Sequence, residues 1–504
     1  MRSTAALAAL AERAVKWSAA TTVARFLLQF GAQVALARLL GPDNYGVYGI
    51  GLTVLTFVAF LSGGSFAWNL MLLPSVTADD VRFSFTWQVI VGAGCAVAMY
   101  AAAPALALFF SDQRVQSMVQ MLSIASLLTA AAAPATCLLQ RDLNFRALGL
   151  IQLASYGVGY LGVGVPMALQ GYGPSALGAA CVVQAAVVLL TSYAARPHPV
   201  RPLFSHAGGS AALATGRTVF VTNVVNWLLS NIDRVLIGRV LNAHAVGLYN
   251  VAYNLASIPN TLLLGALQPT FLATGAKLQD DRVRMARGWL IAMSCVLVLA
   301  IPSSIVFALL SGDLVRLLYG PAWSDSAWVL GLLFMCLPAW TCWGISTPVL
   351  WNTDRKHLEY MLQLPLLAVA LPAWWIWAPS GIRAIAIVSA LVIFARAVVI
   401  VLAALHALKL RWSDLLPAAG RGAGLACVCT AAVLAGQRLA APITAPGAAL
   451  FAGAIAALLV LAIVLRVLPQ ALGRETRSVL ARFMPFLRAD APAAMPASAE
   501  GLPR

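Results

Sequence analysis

The feature that most limits how this chain can fold is a succession of apolar stretches, each long enough to cross a bilayer. A crossing helix needs about 20 mostly apolar residues. Such stretches lie near 18–38, 46–66, 84–104, 115–137, 147–168 and 175–195, and again near 215–238, 246–270, 288–311, 326–350, 358–378, 383–407, 420–438 and 446–467. The expected fold class is therefore an all-α polytopic membrane protein with about 14 transmembrane helices. Composition agrees: 61% of the 504 residues are hydrophobic and 10% charged, whereas a soluble domain carries about 25% charged residues.

The net charge of +16 raises the question of nucleic acid, but the basic residues punctuate apolar segments instead of gathering in a soluble basic domain. They report membrane orientation. With a cytoplasmic N-terminus, Arg38, Arg114, Arg234, Arg239, Arg316, Arg383 and Arg438 fall on the far side, Arg25 and Arg396 stay inside spans, and the rest of the 33 Lys and Arg residues face the cytoplasm. That bias satisfies the positive-inside rule with both termini cytoplasmic, in a bacterial inner membrane. Tryptophans such as Trp68, Trp87, Trp323, Trp328, Trp374, Trp375 and Trp377 read first as an interfacial belt.

A polar break, R-P-H-P-V-R-P-L-F-S-H-A-G-G-S, divides the run of spans. The expected organisation is an N-terminal interfacial helix at 1–17, a six-helix lobe at 18–195, a cytoplasmic linker at 196–214, a second six-helix lobe at 215–407, a helix pair at 408–467 and a cytoplasmic tail at 468–504 whose Pro/Ala-rich end is disordered. An internal echo supports paired lobes. R-L-L-G-P-D-N-Y-G-V-Y-G-I-G (38–51) returns, blurred, 201 residues later, pairing Arg38 with Arg239, Leu40 with Leu241, Gly46 with Gly247 and Tyr48 with Tyr249. Transporters built from repeats hold their site between the repeats. Two ordinary interfacial turns would give the same echo.

Polar residues inside the spans fall in stripes. Arg25, Gln29 and Gln33 recur every fourth residue, on one helix face. Asn223, Asn226, Ser230 and Asp233 follow i, i+3, i+7, i+10, with Arg234 beside them, and Asn250, Asn254, Ser257 and Thr261 make a third stripe flanked by Tyr249 and Tyr253. Intramembrane charges are costly and mark cavities or partners, while amide stripes also glue helices together. For the third stripe both roles stay open. Asp233–Arg234 equally suits a local ion pair or an interfacial anchor. For the deeper Arg25 a cavity role is favoured. Arg offers a planar fork of donors that grips phosphate in two places, and amides and tyrosines suit sugar hydroxyls.

The sequence holds no Walker A loop, HExxH or His/Cys metal constellation. The eight cysteines lie in apolar runs and read as small buried residues, and the five histidines pair with no nucleophile. No catalytic residue, metal or cofactor is expected, and the protein is not read as an enzyme.

Four segments carry a resemblance: A-R-L-L-G-P-D-N-Y-G-V-Y (37–48), L-Q-R-D-L-N-F-R-A-L-G-L-I-Q-L-A-S (139–155), N-I-D-R-V-L-I-G-R-V-L-N-A-H-A-V-G-L-Y-N-V-A-Y-N-L-A-S-I-P (231–259) and L-Y-G-P-A-W-S-D-S-A-W-V-L (318–330). Over roughly residues 15–410 the chain resembles the polysaccharide-transporter branch of the multidrug/oligosaccharidyl-lipid/polysaccharide exporter superfamily, departing from it at N-A-H-A-V-G (242–247). The resemblance implies a fold like that of the MATE and MurJ proteins, with two pseudo-symmetric six-helix lobes plus two C-terminal helices. It also implies a Wzx-type flippase moving undecaprenyl-pyrophosphate-linked oligosaccharide by alternating access through a cationic central cavity, for exopolysaccharide, O-antigen or capsule. Arg25 is the position carried over, then Asp233 and Arg234. The expected substrate-binding set is Arg25, Gln29, Gln33, Asn223, Asn226, Asp233, Arg234, Asn250 and Asn254. Expected partners are the lipid-linked oligosaccharide, membrane lipid and the pathway's polymerase and chain-length machinery, with no nucleic acid. The alternatives are a cation-coupled small-molecule exporter of the same superfamily and a membrane polysaccharide polymerase or scaffold.

Overall fold

The computed structural model describes residues 4–62, 65–73, 75–206, 216–278, 281–355, 357–443, 445–473 and 476–477, with backbone alone at 4–16, 18–20, 216–223 and scattered further positions. The expected interfacial helix at 1–17, part of the linker and most of the tail therefore lie largely outside the described side chains. In chain order the helices are α1 (Thr4–Ser62), α2 (Ser65–Leu72), α3 (Ala78–Phe110), α4 (Arg114–Arg141), α5 (Phe145–Tyr156), α6 (Val165–Leu169), α7 (Ser175–Ala195), α8 (Gly216–Leu236) and α9 (Ala243–Lys277). They continue as α10 (Arg282–Tyr319), α11 (Ser326–Met335), α12 (Leu337–Asn352), α13 (His357–Trp377), α14 (Ile382–Leu408), α15 (Leu416–Ala440) and α16 (Ala448–Val467). Two π-helical segments, Gly157–Gly164 and Ile237–Leu241, follow α5 and α8 directly.

Among the described residues ten helices are long and apolar enough to cross a membrane, or eleven if the bent pair α11–α12 counts as one span. The chain is a multi-pass helical membrane protein. Each of the fourteen apolar stretches lies on a helix, and α8 and α9 fall outside the ten. The reason is chemical: these two carry the Asn, Asp, Arg and Ser stripes, which lower their mean hydropathy.

The first and second apolar stretches form one element. At 59 residues α1 would be about 90 Å long if straight, far beyond the hydrocarbon core of about 30 Å. It breaks at Gly41, with φ 69° and ψ 173°. Only glycine takes that left-handed φ without penalty, and Pro42 restarts the helix where a missing N–H costs nothing. Gly41–Pro42 thus separates two spans without a loop. Capping is equally local elsewhere: Thr77 and Asp80 exchange side-chain and backbone hydrogen bonds in a capping box that starts α3.

The chain divides into two compact units, one of 1–254 with 318–329 and 363–392, the other of 255–317, 330–362 and 393–504. In the first, small residues let helices touch. A Cβ on Gly92 of α3 would run into Ala130 of α4, and one on Gly159 would meet the Ala180 carbonyl of α7 at 2.6 Å. Close approach of this kind replaces the hydrophobic effect as the means of holding helices in lipid. In the second unit, Trp289, Met293 and Val296 of α10 pack with Ile345 and Val349 of α12 and Ala404 and Leu405 of α14. The guanidinium of Arg396 stacks 3.9 Å from the Trp343 ring, and Gly436 of α15 abuts the Ala452 carbonyl of α16 at 2.6 Å.

The two echoing segments lie against each other inside the first unit. A Cβ on Gly46 would strike the carbonyl oxygen of Ala243, and a Cβ on Gly247 would strike that of Pro42. Under the 201-residue offset these contacts are the same contact, since Pro42 maps to Ala243 and Gly46 to Gly247. Asp43 and its counterpart His244 also meet, at 3.2 Å, and Asn250 fills the space that a side chain on its counterpart Gly49 would take. Such reciprocity is the mark of a local two-fold axis.

Candidate functional site: a polar cavity in the first unit

Beside this seam is a cavity of about 290 Å³, at the small end of the roughly 300–1,000 Å³ typical of ligand sites. α1 contributes Gln29, Gln33 and Leu36 before the Gly41 break and Tyr45, Tyr48, Gly49, Leu52, Thr53 and Thr56 after it. Tyr156 comes from the end of α5, Tyr160 from the π-helical segment, Leu177 from α7, Arg234 from α8, and Asn250 and Asn254 from α9. π-helical turns inside α-helices recur at functional sites, and here one places a wall residue while Arg234 stands three residues ahead of the other.

The expected stripes meet here in part. Gln29, Gln33, Arg234, Asn250 and Asn254 share the wall. Arg25, one turn before Gln29, is not among the lining residues; its Nη1 donates to Gln152 Oε1 of α5. Asn226 lies on α8 away from the lining, and Asn223 lies outside the described side chains. Asp233 is buried, at 3% exposure, and turns from the cavity. It accepts from Tyr249 Oη at 2.5 Å, Ser389 Oγ at 3.1 Å and the Arg234 backbone N–H at 2.8 Å, while Trp374 Nε1 donates to Ser389 Oγ at 3.0 Å. The carboxylate is spent on these donors.

Arg234 is held differently. Its Nη1 donates to Asn231 Oδ1 at 3.0 Å and its guanidinium carbon lies 4.0 Å from the Tyr253 ring centroid. Its buried Nε–H has no acceptor. The stack and one amide fix the fork and leave donor capacity unspent, the condition in which an Arg accepts an anion.

Four tyrosines were missing from the expected set. Tyr48 and Tyr160 hydroxyls pair at 2.7 Å, Tyr156 and Tyr160 stack with centroids 4.3 Å apart, and Tyr156 Oη donates to the Gln29 carbonyl at 3.5 Å. Tyr45 and Tyr48 are each 6% exposed. The i, i+4 spacing of Tyr156 and Tyr160 was the available signal. Thr53 and Thr56 bond backwards to their own helix, at 2.9 Å each, leaving oxygen lone pairs for the cavity. Among the described residues no group of three His, Cys, Asp or Glu could hold a metal ion.

Residues 35–328, more than half of the chain, match the family described as polysaccharide biosynthesis protein. The chain belongs to that family. Similar members include the succinoglycan biosynthesis transport protein ExoT of Rhizobium meliloti, 26% identical over 74% of this chain and 72% of that one. The lipopolysaccharide biosynthesis protein WzxC of Escherichia coli is 24% identical over 63% and 65%, and the teichuronic acid biosynthesis protein TuaB of Bacillus subtilis 24% over 63% and 66%. Among solved structures the fold is that of the lipid II flippase MurJ in an inward closed conformation, with a TM-score of 0.69 over 90% of this chain and 99% of that one at 14% identity. An inward-facing MATE multidrug transporter follows at 0.57 over 76% and 94%, also at 14% identity. These named proteins are transporters and flippases, and this polysaccharide biosynthesis protein shares their helical architecture; no enzyme is among them.

Proposed function

We propose that this protein is a flippase that carries undecaprenyl-pyrophosphate-linked oligosaccharide units across the bacterial inner membrane by alternating access. The observation that carries the reading is Arg234, a cation with an unspent donor in the wall of a polar cavity. The fold likeness to a lipid II flippase supports it. Arg234 takes pyrophosphate oxygen, Gln29, Gln33, Asn250 and Asn254 take sugar hydroxyls, and Arg25, one turn away and tethered to Gln152, meets the anion as it enters. Fourteen spans in two six-helix lobes, 18–195 and 215–407, with an added pair at 408–467 and both termini cytoplasmic, form the working unit. The pathway's polymerase and chain-length proteins act next.

The test is a sidedness assay in vesicles with a defined lipid-linked glycan. The purified protein should expose the glycan to an impermeant glycosidase or lectin, and Arg234→Ala and Arg25→Ala should slow that exposure without lowering the amount of protein in the membrane. Wild-type vesicles as slow as protein-free ones would end the reading. A small-molecule exporter would instead change drug susceptibility and leave surface polysaccharide intact.

A further inference from the structure

We infer that the sugar attached directly to the pyrophosphate must be uncharged. The inference rests on the flippase reading and concerns the charge of the cavity wall. Among the described residues lining the cavity, Arg234 is the one formally charged side chain; the other polar groups are amides, tyrosines and threonines. The nearest acid, Asp233, is committed to Tyr249, Ser389 and a backbone N–H and faces elsewhere. The nearest further cation of the stripe, Arg25, lies outside the lining and is engaged by Gln152.

The wall therefore offers one positive charge to a pyrophosphate that brings more than one negative charge. A carboxylate on the adjoining sugar would find no cation to pair with and would stand beside like charge in a site shielded from water. Burying an unpaired carboxylate is among the costliest transfers a protein can make, and like-charge juxtaposition costs several kcal/mol. Neutral hydroxyls and amides, in contrast, meet donors and acceptors around the wall. At about 290 Å³ the cavity holds the pyrophosphate and the first ring but not a whole oligosaccharide, so the exclusion applies to that ring and leaves acidic groups further out unread.

Calorimetry on the purified full-length protein in detergent tests this with three probes: geranyl pyrophosphate, geranyl-pyrophosphoryl-glucose and geranyl-pyrophosphoryl-glucuronate. The glucose compound should bind at least about ten-fold more tightly than the glucuronate. Equal or tighter binding of the glucuronate overturns the inference and leaves the flippase reading standing. If neither glycan compound binds better than geranyl pyrophosphate, the sugar-reading role of the cavity fails, and the flippase reading of this site with it. Adding a cation should rewrite the preference: Asn254→Arg, or Gln33→Arg should the first not fold, should close the gap between glucose and glucuronate to within about three-fold. A gap unchanged in a folded variant also overturns the inference.

Discussion

Arg234 is built for its place by its immediate neighbours. The Tyr253 ring and the Asn231 amide hold the guanidinium without neutralising it, and Asp233 fixes the backbone N–H. Lys would keep the charge but lose the planar fork and the stack. Arg234→Lys should therefore weaken binding of a pyrophosphoryl headgroup by about ten-fold and Arg234→Ala by about a hundred-fold, measured by calorimetry. The Tyr48–Tyr160 hydroxyl pair predicts a smaller effect of another kind. Tyr48→Phe leaves the Tyr160 hydroxyl buried without that partner, so thermal unfolding in detergent should show a loss of about 1–2 kcal/mol. An unchanged midpoint would mean that Tyr160 finds another acceptor.

At the scale of elements, the seam between 42–49 and 243–250 depends on two glycines facing backbone carbonyls. Alanine gains about 1 kcal/mol of helix propensity over glycine, but overpacking typically costs about 1–3 kcal/mol, and a carbonyl cannot rotate away as a side chain can. Gly46→Ala and Gly247→Ala should each lower stability and slow transport. Because the two contacts are reciprocal halves of one seam, the double variant should cost less than the sum of the singles, which a thermal-shift double-mutant cycle reads directly. The segment 196–206 forms a strap on α3: Arg82 Nε donates to the Arg201 carbonyl at 3.1 Å, Leu203 N–H to Thr86 Oγ1 at 2.9 Å, and Trp87 Nε1 to the Phe204 carbonyl at 3.1 Å. His198 sits in it between Phe85 and Tyr193. Burial, then the nearby Arg196 charge, holds its pKa below the ordinary value against a hydrogen bond to the Pro199 carbonyl that favours the charged form. A lowered histidine pKa means the unfolded strap binds more protons than the folded one. Stability is thus full above the ordinary value of about 6.5 and falls as pH drops below it. Amide exchange across the strap should accelerate between pH 7.5 and 5.5, and His198→Phe should remove that dependence.

For the whole molecule, the charge bias and the span pattern predict that reporters fused to either end remain cytoplasmic; a periplasmic C-terminus would mean an odd number of crossings. The level at which each property was legible follows from the range of the forces behind it. Helix class, span positions and the polar stripes depend on apolar content and a 3.6-residue period, both local, so they could be read from the chain alone. The break at Gly41–Pro42 was equally local, yet it was read as a longer interfacial turn because a single αL glycine and a loop look alike in sequence. Which stripe residues share a cavity depended on pairings across long separations: Arg25 with Gln152, 127 residues apart, Tyr48 with Tyr160, 112 apart, and Asp233 with Ser389, 156 apart. Helical spacing places a residue on a face but says nothing of what that face meets. The sequence by itself determined a multi-pass helical protein with amide and arginine stripes, since hydrophobicity and periodicity act within a segment. Only the tertiary structure decided that Arg234 lines the cavity while Arg25 is tied to a neighbouring helix, that tyrosines form much of the wall, and that Gly46 meets Gly247, since each depends on the close packing of helices distant in the chain.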